Sequence, residues 1–370
     1  MSAVKLRHIA QVISGQHVLE SDHNQLEQGV GYLTGPSDFG PIKPTISRWT
    51  EKPKATCVPG DILITVKGAG VGKVNLAPDV TVAIGRQLMA IRGNENTVDT
   101  NYLLSFMQTQ LVHFHKKAVG ATVPGLSRGD LEALIIPLPP LLKQRQIATH
   151  LKFQLAEVSK ARQAAETQLG EIKKLADAVI ADSIGRGSTT MPFLGDVLSE
   201  VKQGIGKKWA DYPVLGATRC GLAPAKEPPG KNPERYKPVF PGTVFYNPMR
   251  ILIGSIAFVD DDDAPGITSP DYVALRGKDG LVDSRWFYCW LRSPLGEQCI
   301  LSLARGAVRE RMLFNRLAEG KIELPSFPLQ RKASAALAAL KPMPLAMERT
   351  LSDLNLLPQK ILAQAFGMQS

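Results

Sequence analysis

The 370 residues are 44% hydrophobic and 21% charged, the balance of a soluble globular chain long enough for two or three domains. No stretch approaches the ~20 apolar residues of a bilayer span, and residues 1–15 lead into no apolar run of a signal peptide, which points to the cytoplasm. The net charge of +10 is spread evenly and suits phosphate binding, while Cys57, Cys220, Cys289 and Cys299 form no C-x-x-C pair and no zinc-site spacing.

In chain order, Leu6-Arg7-His8-Ile9 opens the first half with an apolar phrase. Val58-Pro59-Gly60 predicts a turn, and Asp61–Val66 the strand after it. Gly68-Ala69-Gly70-Val71-Gly72-Lys73-Val74 reads as a strand-to-strand turn, and Thr81–Ile91 as a further strand. Leu103, Leu104, Met107, Leu111 and Phe114 recur at helical spacing over Asn101–Lys117. Leu134–Leu138 is a short strand closed by Pro139-Pro140.

Residues 141–184 hold no proline and one glycine, Gly170. Leu151, Leu155, Val158, Arg162, Ala165, Leu169, Ile172, Ala176 and Val179 alternate steps of four and three, a heptad seam. As one helix this segment would span roughly 66 Å.

Much of the first half then recurs 182–188 residues later, a period that implies duplicated domains. Leu194-Gly195-Asp196-Val197 answers the opening phrase, and Phe240-Pro241-Gly242-Thr243-Val244-Phe245 answers the Pro-Gly turn with its strand, here Val244–Tyr246. Leu252-Ile253-Gly254-Ser255-Ile256 answers Gly70–Val74, and Val273–Gly277 answers Met89–Gly93. Trp286–Leu301 is the counterpart helix, Gly120 matches Gly306, Leu138-Pro139 matches Leu324-Pro325, and Gln144-Arg145 matches Gln330-Arg331. At the end of the chain Leu337, Leu340, Met347, Leu351, Leu354, Ile361 and Ala365 form a second stripe. Pro342, Pro344 and Pro358 are expected to break or kink it, and the first long helix is the economical partner for it, antiparallel.

Catalytic motifs are missing. In the glycine-rich turn Lys67 stands where a P-loop needs its first glycine and Val74 where it needs Ser or Thr. Asn247-Pro248-Met249-Arg250 lacks the second proline and the aromatic of an adenine methyltransferase motif. Thr65-Val66-Lys67 lacks the acid of a nuclease strand. Asp260–Asp263 reads as a solvated loop rather than a cation site, and His113 and His115 point apart on their helix.

The phrase Ile135-Ile136-Pro137-Leu138-Pro139-Pro140-Leu141-Leu142-Lys143-Gln144-Arg145-Gln146-Ile147, with Leu155-Ala156-Glu157-Val158 and Ala164-Ala165-Glu166 after it, resembles the junction and spacer of type I restriction–modification specificity subunits. The resemblance covers essentially the whole chain, although Leu324-Pro325-Ser326-Phe327-Pro328 keeps only part of the second junction. It implies a mixed α/β (α+β) fold with two duplicated target-recognition domains, residues 1–140 and 187–325, separated by long antiparallel coiled-coil helices, residues 141–186 and 326–370. It further implies a non-catalytic subunit that reads a bipartite, asymmetric site on double-stranded DNA. Two modification subunits would dock on the helices and use S-adenosylmethionine, and restriction subunits that join would use ATP and Mg, with no cofactor or metal bound by this chain and no membrane partner.

Base readout and phosphate contact favour Arg and Lys beside glycine turns. The candidates are Lys67, Lys73, Arg86 and Arg128 in the first half, and Lys207, Lys208, Arg219, Arg250, Arg305, Arg309 and Arg311 in the second. Two other readings stay open at this point: a coiled-coil scaffold with protein-binding halves, and a stand-alone DNA modification enzyme with degenerate motifs.

Overall fold

After Pro59-Gly60, Ile62, Leu63 and Ile64 are apolar in succession because the strand they form is covered on both faces. The computed structural model describes residues 3–68, 70–119, 125–304 and 311–367. They fall into two units, Met1–Ala164 with Leu351–Ser370, and Ala165–Thr350.

In the first unit β1 (Ala10–Ser14), β2 (Ile62–Thr65), β3 (Val74–Leu76) and β4 (Leu88–Gly93) form an antiparallel sheet in the order β1-β4-β2-β3. Successive side chains of β2 alternate between two cores. Ile62 and Ile64 join Met89, Ile91, Tyr102, Phe106 and Phe114. Leu63 joins Leu33, Val82, Ile84 and Ala90, beneath a second sheet that contains Val30–Leu33 and Val82–Ile84. Helix α1 (Thr100–Thr109), capped by the Asp99 carboxylate on the Tyr102 amide, and α2 (Leu111–Val119) cover the first core. Helix α3 then runs unbroken from Leu141 to Gly185, 45 residues.

The second unit repeats this plan. Here β5 (Leu198–Glu200), β6 (Thr243–Tyr246), β7 (Ile256–Val259) and β8 (Val273–Gly277) take the order β5-β8-β6-β7. The register repeats as well: Leu63 faces Ala90 and Phe245 faces Ala274, while Ile64 faces Val74 and Tyr246 faces Ile256. Helices α4 (Ser284–Arg292), capped by Asp283, and α5 (Pro294–Leu303) lie over the sheet with Trp286, Phe287 and Trp290 inward.

Three sequence expectations need correction, and a fourth, the broken C-terminal stripe, holds at Pro342 but not at Pro344 or Pro358. Thr81–Ile91 is two strands, because residues 85–87 turn between Val82–Ile84 and Leu88–Gly93. The helices expected over Asn101–Lys117 and Trp286–Leu301 each break once, at Gln110 and at Ser293-Pro294. Residues 327–365 form α6 (Phe327–Leu340) and α7 (Pro342–Ala365), which part only at Lys341. Pro342 and Pro344 occupy the first turn of α7, where a helix has no acceptor for their missing amides, and Pro358 lies inside α7 without ending it.

Along α3 the seam is the less exposed stripe. Leu151 and Ala165 are buried, Leu155, Val158, Leu169, Ile172, Ala176 and Val179 are half-buried, and Arg162 is exposed. In the second unit the last seam residues, Ala176 and Val179, together with Ile180 and Ile184 pack on the core of that unit. There the buried Ser183 hydroxyl accepts a 2.9 Å bond from the Trp286 indole. In the first unit the end of α7 plays the corresponding part, with Leu362 buried and the Phe366 ring 5.3 Å from Tyr102 and from Phe106.

In each unit one fully buried glutamine joins the globular part to its outgoing helix. Gln144 Oε1 accepts from the Asp99 amide (2.9 Å), and its Nε2 donates to the carbonyls of Thr97 (3.0 Å) and Pro139 (2.9 Å). Gln330 Oε1 accepts from the Asp283 amide (2.9 Å), and its Nε2 donates to Leu281 (2.9 Å) and Pro325 (2.8 Å).

The duplicated sheets differ in what one arginine meets. Asp61, 2% exposed, receives a two-pronged hydrogen bond from Arg92 at 2.9 and 2.8 Å. In the second unit Thr243 replaces the acid, and Arg276 donates to the Pro241 carbonyl instead. Arg92→Met should therefore leave a buried carboxylate unpaired and destabilise the first unit by about 2–3 kcal/mol, whereas Arg276→Met should cost the second unit less than about 0.5 kcal/mol. Hydrogen exchange at the most protected amides of each unit measures both, and equal losses would contradict the assignment.

Candidate nucleic-acid interface

The loop after the central strand is built alike in both units. In the first, the Val66 amide donates to the Gln87 carbonyl (2.8 Å), and the Val66 carbonyl accepts from the Leu126 amide (2.9 Å). Three segments therefore meet: the β2–β3 loop, the 85–87 turn, and the chain around Leu126. Gly68 and Gly72 carry left-handed φ of 86°, which lets the loop reverse within a few residues. A Cβ at Gly125 would lie 2.9 Å from the Val66 oxygen, so only glycine allows this approach.

In the second unit the Pro248 carbonyl accepts from the Met312 amide (3.1 Å), the counterpart of the Val66–Leu126 bond at offsets of 182 and 186. Arg250 is the hub of this loop: its amide donates to Asn247 (2.9 Å), and its carbonyl accepts from Ile253 (3.2 Å) and Ser255 (3.1 Å). Gly254, at φ 78°, matches Gly72. The glycine-rich run of the first unit ends in the strand Val74–Leu76, not in the helix that a phosphate-binding loop requires.

Residues 4–165 match the family "Type I restriction modification DNA specificity domain". The type I restriction enzyme MjaX specificity subunit of Methanocaldococcus jannaschii is 38% identical over 144 residues, which are 38% of this chain and 33% of that relative. A solved chain from work on complex assembly and conformational transition of the type I R-M system superposes with a TM-score of 0.70 at 17% identity, over 99% of this chain and 97% of that one. The HsdS subunit of Thermoanaerobacter tengcongensis (TM-score 0.54, 18% identity, 99% and 96% covered) and the S subunit of M. genitalium (0.53, 17%, 100% and 96%) share the fold. Residues 4–165 thus match the model of this family, and the chain as a whole shares the fold of these solved chains.

In the first unit, Lys67 and Arg86 are exposed on the joined loops. Lys73, also exposed, lies at the base of the loop, in a cleft with Gln108 and Gln359. Arg128 is two residues from Leu126, and its guanidinium is engaged by Glu132 at 2.6 Å. In the second unit the 247–255 loop gathers Arg219, Arg250 and Arg311. Arg219 donates to the Ile253 carbonyl (3.1 Å), and Arg311 reaches Asp271 at 3.4 Å from the residue next to Met312. Lys207 and Lys208 are exposed on a 3-10 turn whose preceding residue, Ile205, bonds to Tyr236, so they belong to a different corner. Arg305 and Arg309, with Gly120 and Gly306, lie outside the described residues. Among the described residues Lys67, Lys73, Arg86, Lys207, Lys208 and Arg250 have no carboxylate partner.

The acidic run is solvated at Asp261 and Asp262, as its sequence suggests, but its first residue is buried and all four are ion-paired. Asp260 is buried against Arg285, Asp261 meets Arg285 at 3.1 Å, and Lys341 reaches Asp260, Asp262 and Asp263 at 3.4, 2.6 and 3.3 Å. Burial pushes the Asp260 carboxyl up, yet the Arg285 hydrogen bond and the nearby Lys341 hold it below its ordinary value.

In the first unit Asp130 braces the segment that props the loop. Lys117 stands 2.7 Å from it and the Ser127 amide and hydroxyl donate to it (2.9 and 2.7 Å), which together hold its carboxyl down at about 2. A lowered folded-state value means that the brace is complete above pH ~4 and is lost as pH falls toward 2. A carbon-detected titration of the Asp130 carboxyl should find its midpoint near that value, and an ordinary midpoint near 3.8 would mean that Lys117 and Ser127 do not hold it.

Proposed function

We propose that this chain is the DNA-reading subunit of a type I restriction–modification complex, with one recognition domain for each half of a bipartite, asymmetric site. What carries this reading is the pairing of one shared anchoring bond with different content. The Val66–Leu126 and Pro248–Met312 bonds hold equivalent loops, but the first presents Lys67 and the second Met249 and Arg250. A common scaffold with divergent loops suits two unlike half-sites, and Arg or Lys beside a tight turn suits phosphate and base-edge contact.

In this reading the chain itself transfers no methyl group and cuts no DNA. Two modification subunits dock on the helical spacers and use S-adenosylmethionine to methylate adenine, restriction subunits that join use ATP with Mg, and the complex works in the cytoplasm. The helices fix the gap between half-sites, because two modules on a rigid spacer bind together only where the geometry allows.

Two experiments test it. Lys67→Ala and Arg86→Ala should each weaken DNA binding and lower the salt slope by about one, without altering the second half-site. Unchanged affinity and slope in both would take the first loop off the DNA. Four residues inserted at Gln168 add roughly 6 Å of helix, so the reconstituted complex should methylate sites with a gap one or two base pairs longer, at about 3.4 Å each. An unchanged gap would place the ruler in the modification subunits.

A further inference from the structure

We infer that Gln144 and Gln330 are positioning residues for gap recognition: each amide locks the direction in which a helical spacer leaves its recognition domain. The inference rests on the DNA-reading function proposed above and assigns the fixing of the spacing to two side chains that touch neither DNA nor partner.

Both side chains are fully buried, and both use one oxygen and both amide hydrogens. The three partners in each case are backbone groups from two segments. One is the turn that precedes α1 or α4 (Thr97 and Asp99, or Leu281 and Asp283), and the other is the proline-rich run that precedes α3 or α6 (Pro139, or Pro325). Asp99 and Asp283 in turn cap α1 and α4 through the amides of Tyr102 and Trp286, at 3.0 and 2.9 Å. In the first unit the Tyr102 hydroxyl returns to the Pro137 carbonyl at 2.7 Å. A single planar amide thus crosslinks the first turn of a recognition-domain helix to the root of a spacer helix. No other side chain of similar shape supplies one acceptor and two donors in a plane: methionine supplies none, and glutamate replaces both donors with a charge facing two carbonyls.

The joint matters because the spacer is long. A swivel of about 5° at one end of a 45-residue helix, roughly 68 Å, moves the far end by about 6 Å, or nearly two base-pair steps. A complex that distinguishes gaps differing by one base pair therefore needs the joint held to a few degrees. The prolines stiffen φ at single residues, but ψ of each remains free until something spans the joint.

The test is methylation of a randomised-gap DNA library by the full chain reconstituted with its modification subunits, wild type against Gln144→Met and Gln330→Met. For either variant the preference for the wild-type gap over neighbouring gaps should fall by about tenfold, the weight of one or two ordinary hydrogen bonds, with both half-site sequences unchanged. Gln144→Asn, whose shorter side chain cannot reach all three partners, should fall between. A variant that methylates more slowly but keeps the wild-type gap preference would show a merely structural role and overturn the inference. A wild-type complex without any preferred gap would remove the DNA-reading function and this inference with it. Hydrogen exchange on the unmodified complex is the second measurement, independent of whether the methionine variants fold: the Asp99 and Asp283 amides should be strongly protected, and exchange at the rate of free surface amides would overturn it.

Discussion

A buried amide whose oxygen and both N–H groups are hydrogen-bonded is the constraint on which each unit is organised. Burying the polar head of Gln144 without partners would be costly, and leaving the Thr97 and Pro139 carbonyls and the Asp99 amide bare would cost as much again. Each group solves the other's problem, so turn, junction and helix root must all be in place together. The arrangement explains why the junction carries two prolines. Buried Pro139 has no amide to satisfy and leaves only its carbonyl for the glutamine side chain, while exposed Pro140 leads into α3 with its carbonyl bonded to the backbone amides of Lys143 and Gln144.

Above that joint the sheets provide a frame that side chains can change without moving the loops. The pair at the centre of each sheet is large against small, Leu63 with Ala90 and Phe245 with Ala274, and the difference in volume is absorbed by different second layers. Because the bonds that anchor these loops, from Leu126 to Val66 and from Met312 to Pro248, are backbone to backbone, the anchoring does not depend on which side chains the loops carry at those positions. They can diverge as Lys67 and Met249 have.

Much of this was legible in the sequence, for stated reasons. The duplication showed because Pro-Gly turns and buried strands constrain residue type strongly, and the long helix showed because 45 residues without proline keep one period. The local breaks at Gln110, Ser293 and residues 85–87 were not legible, since an apolar stripe continues across a kink when both pieces pack on the same core. The acidic run misled in part because its cations, Arg285 and Lys341, lie 22 or more residues away and meet it only in the fold. Gln144 and Gln330 were visible as a repeat, but a lone glutamine beside arginine gives no sign of burial. Of the candidate interface, exposure on turns could be read from glycine spacing, whereas the engagement of Arg128 by Glu132 and of Arg219 by a carbonyl needed coordinates.

The two joints also differ, and the difference follows from the helices they serve. At Leu155, 186 residues before Lys341, α3 is continuous, so its own backbone hydrogen bonds carry direction past the joint. At Lys341 the helix parts, because Pro342 offers no amide to the preceding turn. A break there would free α7 from the direction that Gln330 gives α6. Lys341 is also where three carboxylates of the Asp260–Asp263 run converge, and Asp260 and Asp261 are in turn held by Arg285, on the helix that Asp283 caps. The charges thus connect the break to the same helix N-terminus that the glutamine grips. Where the covalent helix supplies stiffness the amide alone suffices, and where proline removes it a second, ionic tie to the same domain takes its place.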